Sequence, residues 1–85
     1  MVTTAEVGEL YRLRRGVSYV AGKDLWRKLA YLFEKDTAKC ESADEKRVKL
    51  VIEQSPTRSV SSVIFIETET FEDNMVVFEL IWEDL

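Results

Sequence analysis

Three apolar stretches in the second half of the chain place the strongest constraint on its fold. They cover residues 47–54, 60–70 and 75–83, and they contain many of the β-branched and aromatic side chains that favour strands. Turn-forming residues separate them at 55–59 and 72–74. These features predict three strands that pair with their sequence neighbours as an antiparallel β-meander.

A register for the meander follows if its apolar side chains are to share one face of the sheet. A loop at residues 55–59 sets Leu50 opposite Ile64. A second loop at 72–74 sets the same Ile64 opposite Trp82. The predicted inner face, which forms the core, consists of Val48, Leu50, Ile52, Ile64, Ile66, Phe78, Leu80 and Trp82.

Two helices are predicted in the first half of the chain. Thr3 and Glu6 have the spacing of a capping box, and Gly16 is a natural helix stop. These signals predict a helix over residues 4–15. A second helix is predicted over residues 23–36, because large apolar side chains recur there at helical spacing. They are Leu25, Trp26, Leu29, Leu32 and Phe33.

The remaining segments complete the predicted architecture. Residues 17–20 form either a short edge strand or the first turn of the second helix, and residues 37–46 are interpreted as a polar connector. We therefore predict a single α+β domain over residues 1–85, in the order α(β)αβββ. Two helices pack on a three- or four-stranded antiparallel meander, and the second helix covers the inner face and buries Trp26.

The outer face of the predicted meander carries a second apolar set, which a solvent-facing sheet normally lacks. Unless the first helix covers it, such a patch indicates an interface. The apolar members are Val51, Val63, Phe65, Val77 and Ile81, and carboxylates of Glu67, Glu69, Glu79 and Glu83 form its fringe. We predict that this set binds a partner protein.

Charge is unevenly distributed along the chain. Residues 1–40 carry a net charge of +3 and residues 41–85 a net charge of −7, which together give the −4 of the whole protein. Arg12, Arg14 and Arg15 form a basic cluster that could bind nucleic acid, although a solvated face is the simpler interpretation. The overall acidity makes nucleic acid an unfavourable partner.

The chain contains no His and a single Cys, Cys40. His is the usual general base near neutral pH and the commonest zinc ligand, and one thiol cannot form an internal disulfide. We therefore predict that the chain is not an enzyme, has no catalytic or metal-binding residues and needs no cofactor. No apolar run approaches the roughly 20 residues of a membrane-spanning helix. An intracellular protein, cytoplasmic or nuclear and without membrane association, is expected.

These observations favour a non-enzymatic protein–protein interaction module, acting as a small subunit, adaptor or inhibitor. Binding to a second copy as a homodimer is part of this hypothesis. One alternative is an inhibitor whose eleven acidic residues after residue 40 imitate a phosphate backbone, as some phage anti-defence proteins do. A further alternative is weak nucleic-acid binding through the three arginines.

Overall fold

The computed structural model describes residues 5–56 and 59–77 of the chain. This part of the chain forms seven strands and one short helix. They are β1 (Leu10–Leu13), β2 (Tyr19–Lys23), β3 (Leu29–Phe33), β4 (Thr37–Ala43), β5 (Arg47–Gln54), β6 (Val63–Glu67), α1 (Thr68–Asn74) and β7 (Met75–Val77). The strands make one sheet in the order β3-β2-β6-β5-β4-β1-β7, and neighbouring strands are antiparallel.

One face of this sheet holds a single hydrophobic core. Alternate side chains of the central strands are fully buried, and α1 adds Phe71, whose ring meets the ring of Tyr11 edge-on at 4.8 Å. Aromatic pairs of this geometry add to the stabilisation that comes from area burial alone. The buried apolar residues are Tyr11, Leu13, Val20, Leu32, Ala38, Cys40, Val48, Leu50, Ile52, Ile64, Ile66, Phe71 and Met75.

The central hairpin confirms the strand and the register predicted for it. The strand β5 occupies residues 47–54, as predicted, and Leu50 lies opposite Ile64 in β6. The five members of the predicted inner face in these two strands are all buried. The other three, Phe78, Leu80 and Trp82, lie outside the described residues.

The prediction of two helices on a three-stranded meander is wrong. Residues 4–15 contain β1, and residues 23–36 contain the end of β2, a turn and β3. The apolar side chains of residues 25–33 recur at helical spacing, and those of residues 29–33 also recur at strand spacing. The neighbouring strand decides between them, because β3 forms a five-residue ladder with β2. As a consequence Trp26, which the second helix would have buried, is 72% exposed.

The turn between β2 and β3 explains why no helix begins here. Asp24 is a good helix N-cap, but its Oδ1 accepts backbone N–H bonds from Trp26 at 2.8 Å and Lys28 at 2.9 Å, which closes a turn. The backbone then reverses at Arg27, whose φ of 65° lies in the left-handed region.

The predicted connector at residues 37–46 is also wrong, because it contains β4, a central strand between β5 and β1. Its polar residues after Thr37 are exposed, whereas Thr37 is buried and Ala38 and Cys40 belong to the core. With only three apolar side chains in seven residues, the strand resembles a connector in composition.

The second predicted hairpin is replaced by α1, so residues 72–74 are helical instead of forming a loop. Thr68 ends β6 by bonding to the β4–β5 turn: its N–H donates to the Lys46 carbonyl oxygen (3.0 Å) and its hydroxyl to the Asp44 carbonyl oxygen (2.8 Å). The predicted strand at 75–83 begins at Met75 as β7, and its part beyond Val77 lies outside the described residues. At residues 17–20 a strand forms instead of a helical turn, but it begins only at Tyr19. It is also not an edge strand, because β2 lies between β3 and β6.

The β2–β3 hairpin joins the rest of the sheet at a close approach. Lys23 of β2 is paired with Phe65 of β6, and Gly22 lies directly against the Phe65 backbone. A Cβ atom at Gly22 would collide with the Phe65 carbonyl oxygen and press on the Ile64 side chain. Only glycine permits this approach without a backbone shift.

Candidate binding surface

The outer face of the β2–β3 hairpin is apolar and aromatic. Tyr19 lies opposite Phe33 across the two strands. Tyr31 is on the same face, one pair further toward the turn, opposite Ala21. The Tyr31 ring is 5.5 Å from the Tyr19 ring and 6.1 Å from the Phe33 ring, measured between centroids. Leu29 continues this face toward the turn.

Leu25 and Trp26 extend the apolar surface around the tip of the hairpin. The side chain of Asp24 fixes this turn through its two backbone hydrogen bonds. We name the resulting surface the hairpin patch. It consists of Tyr19, Leu25, Trp26, Leu29, Tyr31 and Phe33, of which all but Tyr31 are between 43% and 72% exposed.

The hairpin does not need this surface in order to fold. Its opposite face supplies Val20 and Leu32 to the core, at 6% and 0% exposure. Large apolar side chains that remain in water, grouped on one element, are typical of interaction sites rather than of folding cores. The patch is therefore the strongest candidate binding surface in the described part of the chain.

Cations flank the hairpin patch. Lys23 ends β2, and Arg27 and Lys28 lie in the turn beside Leu25 and Trp26. Apart from Asp24, every side chain within residues 23–28 is thus either basic or large and apolar. This combination suits a ligand with both apolar and negatively charged groups.

A surface cleft of about 490 Å³ lies between the hairpin turn and the adjoining ends of β5 and β6. In its wall the guanidinium carbon of Arg47 lies 5.0 Å from the centroid of the Phe65 ring, a cation–π contact. Glu67 is the cross-strand neighbour of Arg47. The cleft is lined by Lys23, Asp24, Leu25, Arg27, Arg47, Phe65, Ile66 and Glu67.

The structure brings together three of the five apolar residues predicted to bind a partner. Val51 lies opposite Val63, and Phe65 follows on the same face; all three are half-buried. Val77 is 44% exposed, but it lies on β7, three strands away from β5. Ile81 lies outside the described residues.

The predicted acidic fringe is also divided. Glu67 is exposed at the end of β6, whereas Glu69 lies in the first turn of α1 and so leaves the strand face. Glu79 and Glu83 lie outside the described residues. In the neighbouring β4–β5 turn, backbone N–H bonds from Arg47 and Lys46 hold the pKa of Asp44 below its usual value.

The three predicted arginines do not share a helix face, because no helix forms there. Arg12 is half-buried within β1, and Arg14 and Arg15 are exposed in the turn that follows. They lie outside the wall of the hairpin cleft.

Two buried side chains are unsuited to reactive chemistry. Cys40 is fully buried, and burial raises the pKa of its thiol, which disfavours the nucleophilic thiolate. Burial likewise raises the pKa of Tyr11, whose hydroxyl oxygen accepts the Glu6 N–H at 3.0 Å. Within residues 5–56 and 59–77 no three acidic, Cys or His side chains are grouped as metal ligands would be. Over the same ranges no helix combines the length and apolar character needed to cross a membrane.

Sequence reasoning missed the hairpin patch as a surface, although a signal for it exists. Tyr19 and the alternating triplet Leu29, Tyr31 and Phe33 have a two-residue period, and Asp24 lies between the two runs as a turn former. Helical spacing over the same residues concealed this pattern.

Comparison with known proteins identifies no relative of this chain: no protein family, no curated protein and no solved structure matches it. The functional argument therefore depends on the surface described above.

Proposed function

We propose that the chain is a non-enzymatic protein–protein interaction module whose hairpin patch makes the contact. The observation that carries this proposal is the exposure of large apolar side chains on one hairpin whose other face already supplies the core. Such a module would serve as a small subunit, adaptor or inhibitor.

The composition of the patch supports this role energetically. Trp and Tyr are enriched among the residues that dominate binding energy, because they bury much area at a low entropic cost. Trp26 and Leu29 are 72% and 58% exposed, so most of their surface remains available to a partner. Full burial of a large apolar side chain contributes about 1.5–3 kcal/mol.

The proposed contact shares one sheet face with the surface predicted from the sequence. Phe65 of β6 adjoins β2 through its pairing with Lys23, so the predicted patch and the hairpin patch are neighbours. The half-buried Val51 and Val63 offer less surface than the hairpin, and the contact therefore centres on β2, β3 and their turn.

The proposal is tested by a double variant, Trp26→Ser with Leu29→Ser. The tagged wild type serves as bait in extract of the native host, and a retained protein is identified, purified and titrated calorimetrically against both chains. We expect the double variant to bind at least about tenfold more weakly.

The matched control carries Val7→Ser with Val60→Ser, which removes two apolar side chains that are equally exposed outside the patch. It should bind as the wild type does. Equal binding by wild type and double variant would contradict the proposal, provided that circular dichroism shows both chains folded.

Light scattering over a concentration series decides whether the partner is a second copy. A mass of about twice 9.9 kDa, returned to monomer in the double variant, assigns the patch to a homodimer. A wild-type monomer assigns it to a different protein.

Imitation of a phosphate backbone is the second candidate function, and the acidic corner formed by the β4–β5 turn and α1 favours it. The two hydrogen bonds of Thr68 to that turn bring Asp44 and Glu45 next to the start of α1, which carries Glu69. In this case binding to a nucleic-acid-binding protein should weaken steeply with salt. This binding should be lost in the double variant Asp44→Asn with Glu45→Gln, and it should be unchanged in Trp26→Ser.

A further inference from the structure

We propose that the cleft beneath the hairpin turn receives a single carboxylate of the partner protein, carried next to a large apolar side chain that packs on the hairpin patch. The inference rests on the proposed function, since it names the chemistry of the partner segment at the same surface. It is carried by the cations of the cleft and by their apolar surroundings.

Three cations line the cleft, and two of them form no ion pair with any residue that the structure describes. Lys23 and Arg27 line its wall, and neither forms an ion pair with a described residue. Asp24 also lines the cleft, but one of its carboxylate oxygens already accepts two backbone N–H groups. The cations are therefore available to a ligand.

The third cation, Arg47, is positioned for a planar carboxylate. One face of its guanidinium lies over the Phe65 ring, which restricts the orientation of the side chain. The N–H groups at the edge of a guanidinium match the two oxygens of a carboxylate. Glu67 is the cross-strand neighbour of Arg47, yet the two do not form an ion pair.

The charge balance of the cleft favours one carboxylate over a polyanion. Lys23, Arg27 and Arg47 stand against Asp24 and Glu67, which leaves a single net positive charge. A phosphate backbone or an anionic membrane would bring several negative charges toward a protein whose own net charge is −4. Such surfaces would therefore be repelled at long range.

The apolar part of the cleft determines which side chain should neighbour the carboxylate in the partner segment. Leu25 and Phe65 form walls beside the cations, and Trp26 and Leu29 continue the apolar surface outward. A partner segment with an Asp or Glu directly beside Leu, Phe or Trp satisfies both features at once.

The test is selection of binding peptides from a random displayed library with the purified full chain as target. We expect enriched sequences to combine an acidic residue with a neighbouring large apolar residue. The best enriched peptide and its counterpart with Gln or Asn in place of the acid are then titrated. The amide peptide should bind about tenfold more weakly.

Two variants separate the contributions to binding. Lys23→Gln with Arg27→Asn removes two cleft cations, and Asn tolerates the left-handed backbone at position 27. This variant should lose its preference for the acidic peptide over the amide peptide while retaining apolar binding. Arg15→Gln, an exposed cation outside the cleft, is the matched control and should change neither.

The outcomes distinguish this inference from the proposed function. Peptides that are apolar but not acidic, and that require Trp26 and Leu29, would overturn the carboxylate site and leave the proposed function intact. Absence of any selection that depends on those two residues would overturn both. Stronger binding of a short single-stranded oligonucleotide or of phosphatidylserine vesicles through Lys23 and Arg27 would also overturn the carboxylate site.

Discussion

Leu50 of β5 and Leu29 of β3 are leucines on two strands of one sheet, but their exposure to solvent is opposite. Leu50 is fully buried in the core, whereas Leu29 is 58% exposed on the hairpin patch. Alternate apolar side chains of the central strands are buried on one face, while the hairpin exposes several of its own on the other face. The sheet face on which a leucine lies thus decides whether it is buried or exposed, because Leu32, on the same strand as Leu29, is fully buried.

The comparison between the two leucines predicts the largest effect. Leu50→Ala leaves a cavity in the core and should lower the free energy of unfolding by about 2–5 kcal/mol. Leu29→Ala should lower it by less than about 0.5 kcal/mol, because the side chain is already in water. Urea unfolding followed by circular dichroism measures both values. Similar losses for the two variants would show that Leu29 belongs to the core.

The next effect concerns the junction between the two regions. Gly22→Ala should lower the free energy of unfolding by about 1–3 kcal/mol, because the new methyl group would collide with the Phe65 carbonyl oxygen. Its neighbour Ala21 is exposed, so Ala21→Ser is the control and should change the urea midpoint little. A neutral Gly22→Ala would mean that β2 and β6 do not approach as closely as described.

A smaller effect is expected where a buried carboxylate connects β3 to the loop after β5. Asp36 is fully buried; its Oδ1 accepts the Ser55 hydroxyl at 2.6 Å and its Oδ2 the Phe33 N–H at 3.1 Å. Ser55→Ala removes one donor to this carboxylate and should cost about 1–2 kcal/mol of unfolding free energy. The exposed Ser18→Ala serves as the control in the same urea series. An equal midpoint for both variants would argue against this hydrogen bond.

The smallest effect belongs to the β4–β5 turn and depends on pH. The pKa of Asp44 is lowered below its ordinary 3.8 in the folded chain, so its ionised form favours folding. That contribution is present above pH 3.8 and disappears as the pH falls through the lower folded value. Asp44→Asn should therefore be less stable than wild type at neutral pH, and the two stability curves should converge in acid. Urea midpoints measured over a pH series test this, with Glu45→Gln as the control; a constant difference would contradict it.

The sequence was sufficient to predict the central hairpin. Val48, Leu50 and Ile52 share one face of β5, and the polar Lys49 and Glu53 lie on the other. The register that sets Leu50 opposite Ile64 buries Ile64 and Ile66 on the same face. The core of these two strands was therefore predictable without knowledge of the rest of the fold.

The hairpin and the candidate site were not predictable in the same way. Leu29, Leu32 and Phe33 fit a helix, whereas Leu29, Tyr31 and Phe33 fit a strand. The choice depends on pairing between β2 and β3 rather than on local spacing. The surface predicted from the sequence includes the half-buried Val51, Val63 and Phe65, whereas five of the nine exposed large apolar residues in the described part of the chain lie on the hairpin. Exposure depends on what covers a residue, and a pattern of residue types alone does not contain that information.

The continuity of the hairpin patch has an evolutionary consequence. All six of its residues, and two of the three cleft cations, fall within the single stretch 19–33. Under the proposed function, exchange of this stretch between two genes would transfer a binding preference as one inherited unit, provided that Gly22 and the two core-facing side chains Val20 and Leu32 are kept. Selection on the proposed contact and selection on folding would then act on separate sets of positions.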